Sequence, residues 1–413
     1  MKKILICLLL VLSCLFSLVN AASKTKVEII SWQTFGDGGF LDRQKEACEA
    51  ANPDIEISYI TVPSSEYYTK LLTMIASGSA PDMAMLGMDW LAPYAAKGAL
   101  LPLDNYIEKG FPLDDMYDSV EECLKYKGKY YALPRDTTSN VLYYNKKLFQ
   151  EAGLSFPTEN WTWDDFLQAA KTLTKTDKSG RTIQWGFFFD IYPDGWYHWL
   201  LSNGTSFINQ DFTQSTMNTP KVIETLQFLA DLKLKHKVAP DAGQAKELGG
   251  SEGVFKSQRA AMYIGGVSRS YRFAEVPELE WDIAPIPYRT AKVSRVWSNL
   301  WVVPKGTKKM NAVWKVLSFY SGPQGQKIAA ECRYGIPAFK SIAESPAFLT
   351  PLPEHKVYFL EAFKNGKPYP VFPQGQEYRT IMDRELDLVW AGERSVEEAA
   401  RRIDEQAAKL LKK

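Results

Sequence analysis

Apolar residues follow two spacings along this chain, and the alternation between them sets out its elements. Val27 to Trp32, Ile55-Ile57-Tyr59 and Met83 to Leu86 are short continuous or every-second-residue runs, which predict strands. Between them, Phe40 to Ala51 carries Phe40, Leu41, Ala47, Cys48 and Ala51 near helical spacing, and Ser65 to Ser77 turns Leu71, Leu72 and Ile75 inward. Asn52-Pro53 ends the first helix, so the chain opens as β-α-β-α.

Further on, Tyr130 to Leu133 and Val141 to Tyr144 are β-prone, with Pro134 closing the first run. The polar residues Arg135 to Asn140 between them predict a crossing from one folding unit to another, or a plain solvated loop. Later strands are expected over Ile183 to Phe189 and Ala260 to Ile264, with a long helix from Pro220 through Leu234. Val296 to Trp301, holding Trp297, Ser298 and Asn299, reads as a return crossing. Helices over Met310 to Gly322 and Pro323 to Cys332 finish the first unit, and those from Glu354 onward complete the second.

Composition narrows the function. With 413 residues and 46% hydrophobic content, the chain is long enough for two or three domains. Its 49 Lys and Arg balance 48 Asp and Glu, without the basic excess that nucleic-acid binding needs. The 12 Trp and 21 Tyr are more telling, because these rings supply flat amphipathic contact surfaces. Lys2 and Lys3, the apolar run from Ile4 to Val19, and Ala21 together predict a secretory leader over residues 1–21. Lipid attachment at Cys14 is the alternative, leaving a membrane anchor. Without the leader, Cys48, Cys123 and Cys332 are too scattered for a disulfide framework or thiolate metal site, and His198, His236 and His355 show no metal spacing.

Three local patterns invite chemistry. The loop Gln33 to Gly39, holding Gly36, Gly38 and Gly39, looks like a phosphate-binding turn, but Leu41 stands where a dinucleotide fingerprint needs Gly. Adjacent Asp164 and Asp165 suggest paired carboxylates, yet Thr162-Trp163-Asp164-Asp165 reads as a capping box. Gly249-Gly250-Ser251-Glu252-Gly253 matches G-x-S-x-G, but no apolar strand precedes the Ser, so Ser251 is expected to cap a helix instead. No catalytic set, cofactor or metal is expected. Trp32 and the Asp89-Trp90 pair fall at successive strand ends, where ligands of open α/β sheets sit. Asp190 to Trp199, the densest aromatic stretch, lies beside acids, a combination suited to the CH faces and hydroxyls of sugars.

Several segments together carry a family resemblance. NPDIEI, SGSAPDMAM and YAAKGALLPLD look like the first lobe of an extracellular sugar-binding protein of a bacterial ABC importer, of the maltose and multiple-sugar type. YALPRDTTSNVLYYNKKLFQEAGL followed by PTENWTWDDF resembles that family's hinge and the start of its second lobe, and the likeness covers nearly the whole chain. It implies an α/β, two-lobed periplasmic-binding-protein fold with a central ligand cleft and hinge crossings. Lobe 1 would hold residues 22–136 and 299–343, lobe 2 residues 137–298 and 344–413. The partners it implies are a carbohydrate and membrane-embedded permease subunits, the protein being a monomer in the periplasm or at the cell surface. Its aromatic motif puts Trp196 at the stacking position and Asp194 before it, with Trp199 packing inward. The loop after Gly266 carries Ser268 and Arg269 where the family often has an aromatic contact, which bears on sugar specificity. The expected ligand residues are Trp32, Asp37, Asp89, Trp90, Asp136, Asp194, Trp196, Ser268, Arg269, Trp297, Asn299 and Tyr378. A secreted carbohydrate-active enzyme using acids of the same cleft, or a binder of polyamines or peptides, are the competing classes.

Overall fold

The computed structural model describes residues 23–412 except Asp37, Phe189 and Pro351, and excludes the side chain of Asp194. The expected leader, with Cys14, lies outside the described residues. In chain order the main elements are β1 (Thr25–Ser31), α1 (Phe40–Ala51), β2 (Ile55–Thr61), α2 (Ser64–Ala76) and β3 (Met83–Gly87). Then follow β4 (Ala132–Ser139), β5 (Val141–Asn145), α3 (Trp163–Leu173), β6 (Thr182–Phe188), α4 (Pro193–Ser202) and α5 (Pro220–Leu234). After these come α6 (Gly250–Lys256), β7 (Ala260–Gly265), α7 (Ser268–Ala274), β8 (Trp281–Ala284) and β9 (Arg295–Val302). The chain closes with α8 (Met310–Ser321), α9 (Pro323–Glu331), α10 (Val357–Lys364), α11 (Gly375–Trp390) and α12 (Val396–Leu410).

Two sheets organise these elements. In the first, β2, β1 and β3 run parallel, Thr25 facing Ile55 and Ile29 facing Met83. β9 lies antiparallel to β3 and also pairs with β4, and Lys367–Pro368 closes the edge beside it. β3 is buried at every residue, as a strand covered on both faces must be, which explains its unbroken apolar run. The buried amide of Gln44 on α1 donates to Tyr320 O at 3.1 Å and Gly325 O at 3.0 Å, tying α8 and α9 to this lobe. The second sheet runs β8, β5, β7, β6 and the short strand Lys175–Thr176. Its helix α3 begins with the expected box: Asp165 N donates to Thr162 Oγ1 at 3.2 Å, and Thr162 N to Asp165 Oδ2 at 2.9 Å.

The polar run Arg135 to Ser139, expected as a gap or loop, is the second half of β4 and lies in the first sheet. The chain changes sheets at Asn140, between β4 and β5. Val296 to Trp301, expected as the return crossing, likewise belongs to β9, and the return falls in the stretch between Ala284 and Arg295. Sheet hydrogen bonds satisfy the backbone of Arg135 to Ser139, so polar side chains there do not imply a loop, and the change of sheet at Asn140 falls at the end of the expected crossing. The lobe limits expected after Asp136 and Ser298 therefore fall inside strands of one sheet. Ser251 is not a cap either. It is the second residue of α6, whose N-cap is Gly249 in the left-handed region at φ 83°. The glycine loop before α1 turns its amides onto the helix itself, Gly36 N and Gly38 N donating to Asp42 Oδ2 at 2.9 and 3.0 Å. Those donors are occupied, so the turn does not cradle a phosphate.

Candidate functional site

The site begins with a proline. Pro134 has no N–H to give to the ladder, and the pairing of β4 with β9 slips there: Leu300 faces Pro134, Asn299 faces Asp136, and Arg135 is unopposed. Such a bulge re-aims the side chains on either side of it. Arg135 is fully buried, its guanidinium 4.9 Å from the ring of Tyr334, 5.5 Å from Phe40 and 5.7 Å from Trp301. Asp136 lines the space between the two sheets. Arg135 donates to the Asp136 carboxylate and to Gln33 Oε1, and Asn299 Nδ2 donates to Asp136 Oδ1 at 2.8 Å. Burial opposes the charge on Arg135, but Asp136 and Tyr334 more than offset it and hold the guanidinium above its ordinary pKa.

The strand period then does the rest. Asp136, Thr138 and Asn140 follow one another at every second position, as do Arg295, Trp297 and Asn299 on β9, and all six line the cleft. Trp32, just beyond β1, adds a half-buried ring set edge-on to Tyr67 at 4.9 Å and 86°. The Trp297 ring lies 4.7 Å from the Arg295 guanidinium and 6.2 Å from Tyr369.

The facing wall comes from the second sheet. Gly265 ends β7 and Gly266 follows it, and a Cβ on Gly266 would sit 2.4 Å from Thr138 Oγ1, so only glycine lets the two walls meet there. Val267 N donates to Thr138 Oγ1 at 3.0 Å and Tyr143 Oη to Gly266 O at 2.8 Å, which pins the loop. Ser268 is exposed to the cleft, and Arg269 pairs with Glu252 at 3.0 Å. Tyr263 Oη donates to Asp190 Oδ2 at 3.5 Å, and burial pushes its pKa up to about 12, so it remains a donor at neutral pH. The cleft these walls enclose is about 1150 Å³.

Trp32, Asp136, Ser268, Arg269, Trp297 and Asn299 thus come together, while four other expected residues do not. Trp196 is wholly buried, edge-on to Phe207 at 6.2 Å, and offers no face to a ligand; Trp199 beside it is buried as expected. Tyr378 is also buried, its Oη donating to Phe207 O at 2.8 Å and sharing a 2.6 Å hydrogen bond with Ser215 Oγ. Trp90 stacks on Tyr68 at 4.3 Å and 15°, and Asp89 accepts from Gln376 Nε2 at 3.0 Å with Arg379 at 3.8 Å. Asp89 is thus tied to α11, a C-terminal helix, and Trp90 to Tyr68 of α2, and neither lines the cleft. Asp37 and the Asp194 side chain lie outside the described residues. Among the cleft residues that were not expected are Thr138, Asn140, Asp190, Tyr263, Arg295 and Tyr334. The two alternating triplets were the signal that could have found half of them. Outside the cleft, Asp282, Glu354 and His355 place ligand atoms within 4.8 Å of one another, with His355 Nδ1 2.6 Å from Asp282 Oδ2.

Two α/β lobes that enclose a polar cleft ringed with indoles define a receptor for small solutes. The chain belongs to the bacterial extracellular solute-binding proteins, whose family pattern matches residues 33–327. A binding protein of Brucella abortus is 29% identical over 254 residues, 60% of either chain. The arabinooligosaccharide-binding protein of Halalkalibacterium halodurans is 31% identical over 232 residues, 54% of this chain and 49% of that one. The chain therefore matches about half to three-fifths of the length of these curated relatives. An ABC substrate-binding protein of Listeria monocytogenes in complex with cycloalternan superposes with a TM-score of 0.83 at 29% identity, covering 94% of this chain and 98% of that one. Among the described residues no helix is long and apolar enough to cross a membrane.

Proposed function

We propose that the protein captures a carbohydrate in this cleft outside the cytoplasm, at the cell surface or in the periplasm, and hands it as a monomer to an ABC permease without altering it. The observation that carries this reading is the pairing of two half-buried indoles lining the cleft, Trp32 and Trp297, with hydrogen-bonding groups around Asp136. Relatives that bind arabinooligosaccharides and cycloalternan support it. The lobes that would close on the sugar are then residues 23–139 with the segment from Arg295 through α9, and residues 141–284, with α12 packed against α5 of the second.

The magnitudes require both kinds of contact. Two ring faces of about 100 Å² each contribute roughly 5 kcal/mol at about 25 cal/mol/Å². Micromolar affinity needs about 8 kcal/mol before ordering costs. Charge-assisted bonds of about 1.5–3 kcal/mol from Asp136 and Arg269 supply the difference. Titration calorimetry against sugars, polyamines and peptides tests the reading. Heat from one sugar class and none from the others is expected, and silence across every sugar would overturn it. Release of new reducing ends on incubation with oligosaccharides would overturn capture in favour of hydrolysis.

A further inference from the structure

One cluster of side chains outside the cleft has chemistry that capture of a solute does not use. Asp282 stands on β8, an edge strand of the second sheet, while Glu354 and His355 stand in the passage from α9 to α10. Each brings a ligand atom within 4.8 Å of the other two, although 73 positions separate Asp282 from His355. That separation is why the spacing of the histidines along the chain concealed the group.

The fold sets these atoms from several sides. Asp282 is buried, and its Oδ1 accepts from the backbone N–H groups of Ile283 at 2.9 Å and His355 at 3.2 Å. That leaves Oδ2 for the imidazole, whose Nδ1 donates to it at 2.6 Å. Tyr358 stacks on the same imidazole at 5.7 Å and 16°, which fixes the plane of the ring. Glu354 is two-thirds exposed and has Lys146 3.6 Å from its carboxylate. Burial first, and then the charges of Asp282 and Glu354, push the neighbouring Tyr144 hydroxyl above its ordinary pKa, so the corner is negative. A buried carboxylate is costly unless a cation meets it, and an exposed ammonium at the far side of Glu354 contributes little.

We propose that Asp282, Glu354 and His355 bind a divalent transition-metal ion, Zn²⁺, which ties the passage between α9 and α10 to the edge of the second sheet. One imidazole and two carboxylates, with a position left for water, make the donor set of an open Zn²⁺ site. On binding, His355 Nδ1 releases its proton to water and turns its lone pair to the ion. Bonds of about 2.0–2.2 Å to Nδ1 and Asp282 Oδ2 would part these atoms to about 3.4 Å, an opening of less than about 1 Å. Glu354 leaves Lys146 to complete the set. None of the three residues lines the cleft, so the site does not depend on what the cleft binds.

The test is calorimetry of the full chain, stripped with chelator, against Zn²⁺ and against Ca²⁺, which prefers oxygen donors, with the melting temperature read beside it. The wild type takes up a single Zn²⁺ and melts higher with it, while Ca²⁺ does neither. His355→Gln and Glu354→Gln each weaken Zn²⁺ by roughly 10–100-fold and lose the rise in melting temperature. Both side chains are half exposed or nearly so, and the metal-free variants should melt close to the wild type. No uptake of Zn²⁺ by the wild type, an equal response to Ca²⁺, or Zn²⁺ binding unmoved in either variant overturns the site. The last of these would leave Asp282 and His355 as a plain hydrogen-bonded pair.

Discussion

Residues 132–140 and 190–199 look opposite in sequence and turn out opposite in structure, each in the unexpected sense. The first is polar and resembles a loop, yet residues 132–139 are a buried strand that, with Asn140 just after it, brings Asp136, Thr138 and Asn140 to the cleft. The second is the densest aromatic stretch and resembles a binding wall, yet α4 turns Trp196 and Trp199 into the core of the second lobe. Polarity marks the site here because a strand in a sheet already has its backbone satisfied and can spend its side chains on a ligand. Aromatic density marks packing because helical spacing folds Trp196 and Trp199 away from solvent, against Phe207, Phe166 and Phe187.

The largest effect expected from this contrast is on stability. Trp196→Ala should cost about 3–5 kcal/mol, as truncating a fully buried indole leaves a cavity. Denaturant midpoints would show it, while sugar affinity per folded molecule stays at the wild-type level. A tenfold loss of affinity with an unmoved midpoint would return the ring to the ligand site and break the comparison.

Arg135→Met strikes the other stretch from below. Removing one partner of a buried ion pair costs about 3–5 kcal/mol because the remaining charge is stranded, and Arg135 is fully buried against Asp136. The variant should lose stability and sugar affinity together, since Asp136 loses the guanidinium that orients it. Wild-type values for both would show that the bulge places Asp136 unaided.

Asp136→Asn keeps the shape and removes the charge. Its Oδ1 accepts from Asn299 and its Oδ2 from Arg135, and the carboxylate lines the cleft. The dissociation constant should rise at least tenfold, because charge-assisted bonds contribute about 1.5–3 kcal/mol each, and the melting temperature should fall as well, because the buried Arg135 guanidinium loses its ion partner. Small-angle scattering with and without sugar separates this effect from hinge failure. If the variant binds like the wild type while ligand still compacts the protein, Asp136 only supports its strand.

Much of the fold was legible. Phe40 to Ala51 appears as a helix over the same residues, and the capping box at Thr162 forms both of its bonds. Those are local signals, settled by spacing and by one side chain meeting one backbone amide. The site was half legible, for a physical reason. Whether Asp136 or Asp89 lines the cleft depends on pairings between residues 163 positions apart, as for Asp136 and Asn299, or 287 apart, as for Asp89 and Gln376. No local pattern encodes those partners. Nε1 of Trp196 and of Trp199 has no hydrogen-bond partner among the described residues, so both indoles are buried without the polar contact their N–H groups could make. The alternation in Asp136-Thr138-Asn140 and Arg295-Trp297-Asn299 was there to be read once both stretches were taken as strands.

Trp297→Ala is the smallest and sharpest test, because this ring stands on the polar strand and yet is aromatic. It is half-buried, flanked by Arg295 and Tyr369, and its edge lies 3.5 Å from the place a Cβ on Gly87 would occupy. Packing therefore holds one side of the ring while the other lines the cleft. Losing one face of about 100 Å² removes at most about 2.5 kcal/mol of contact, part of which water recovers in the truncated site, so affinity should fall about tenfold. Trp297→Phe should recover most of that loss, since a smaller ring still stacks. Should Trp297→Ala instead lower the melting temperature as far as Trp196→Ala while leaving affinity per folded molecule intact, both indoles would be core. The cleft would then bind through its polar strand residues and Trp32 alone.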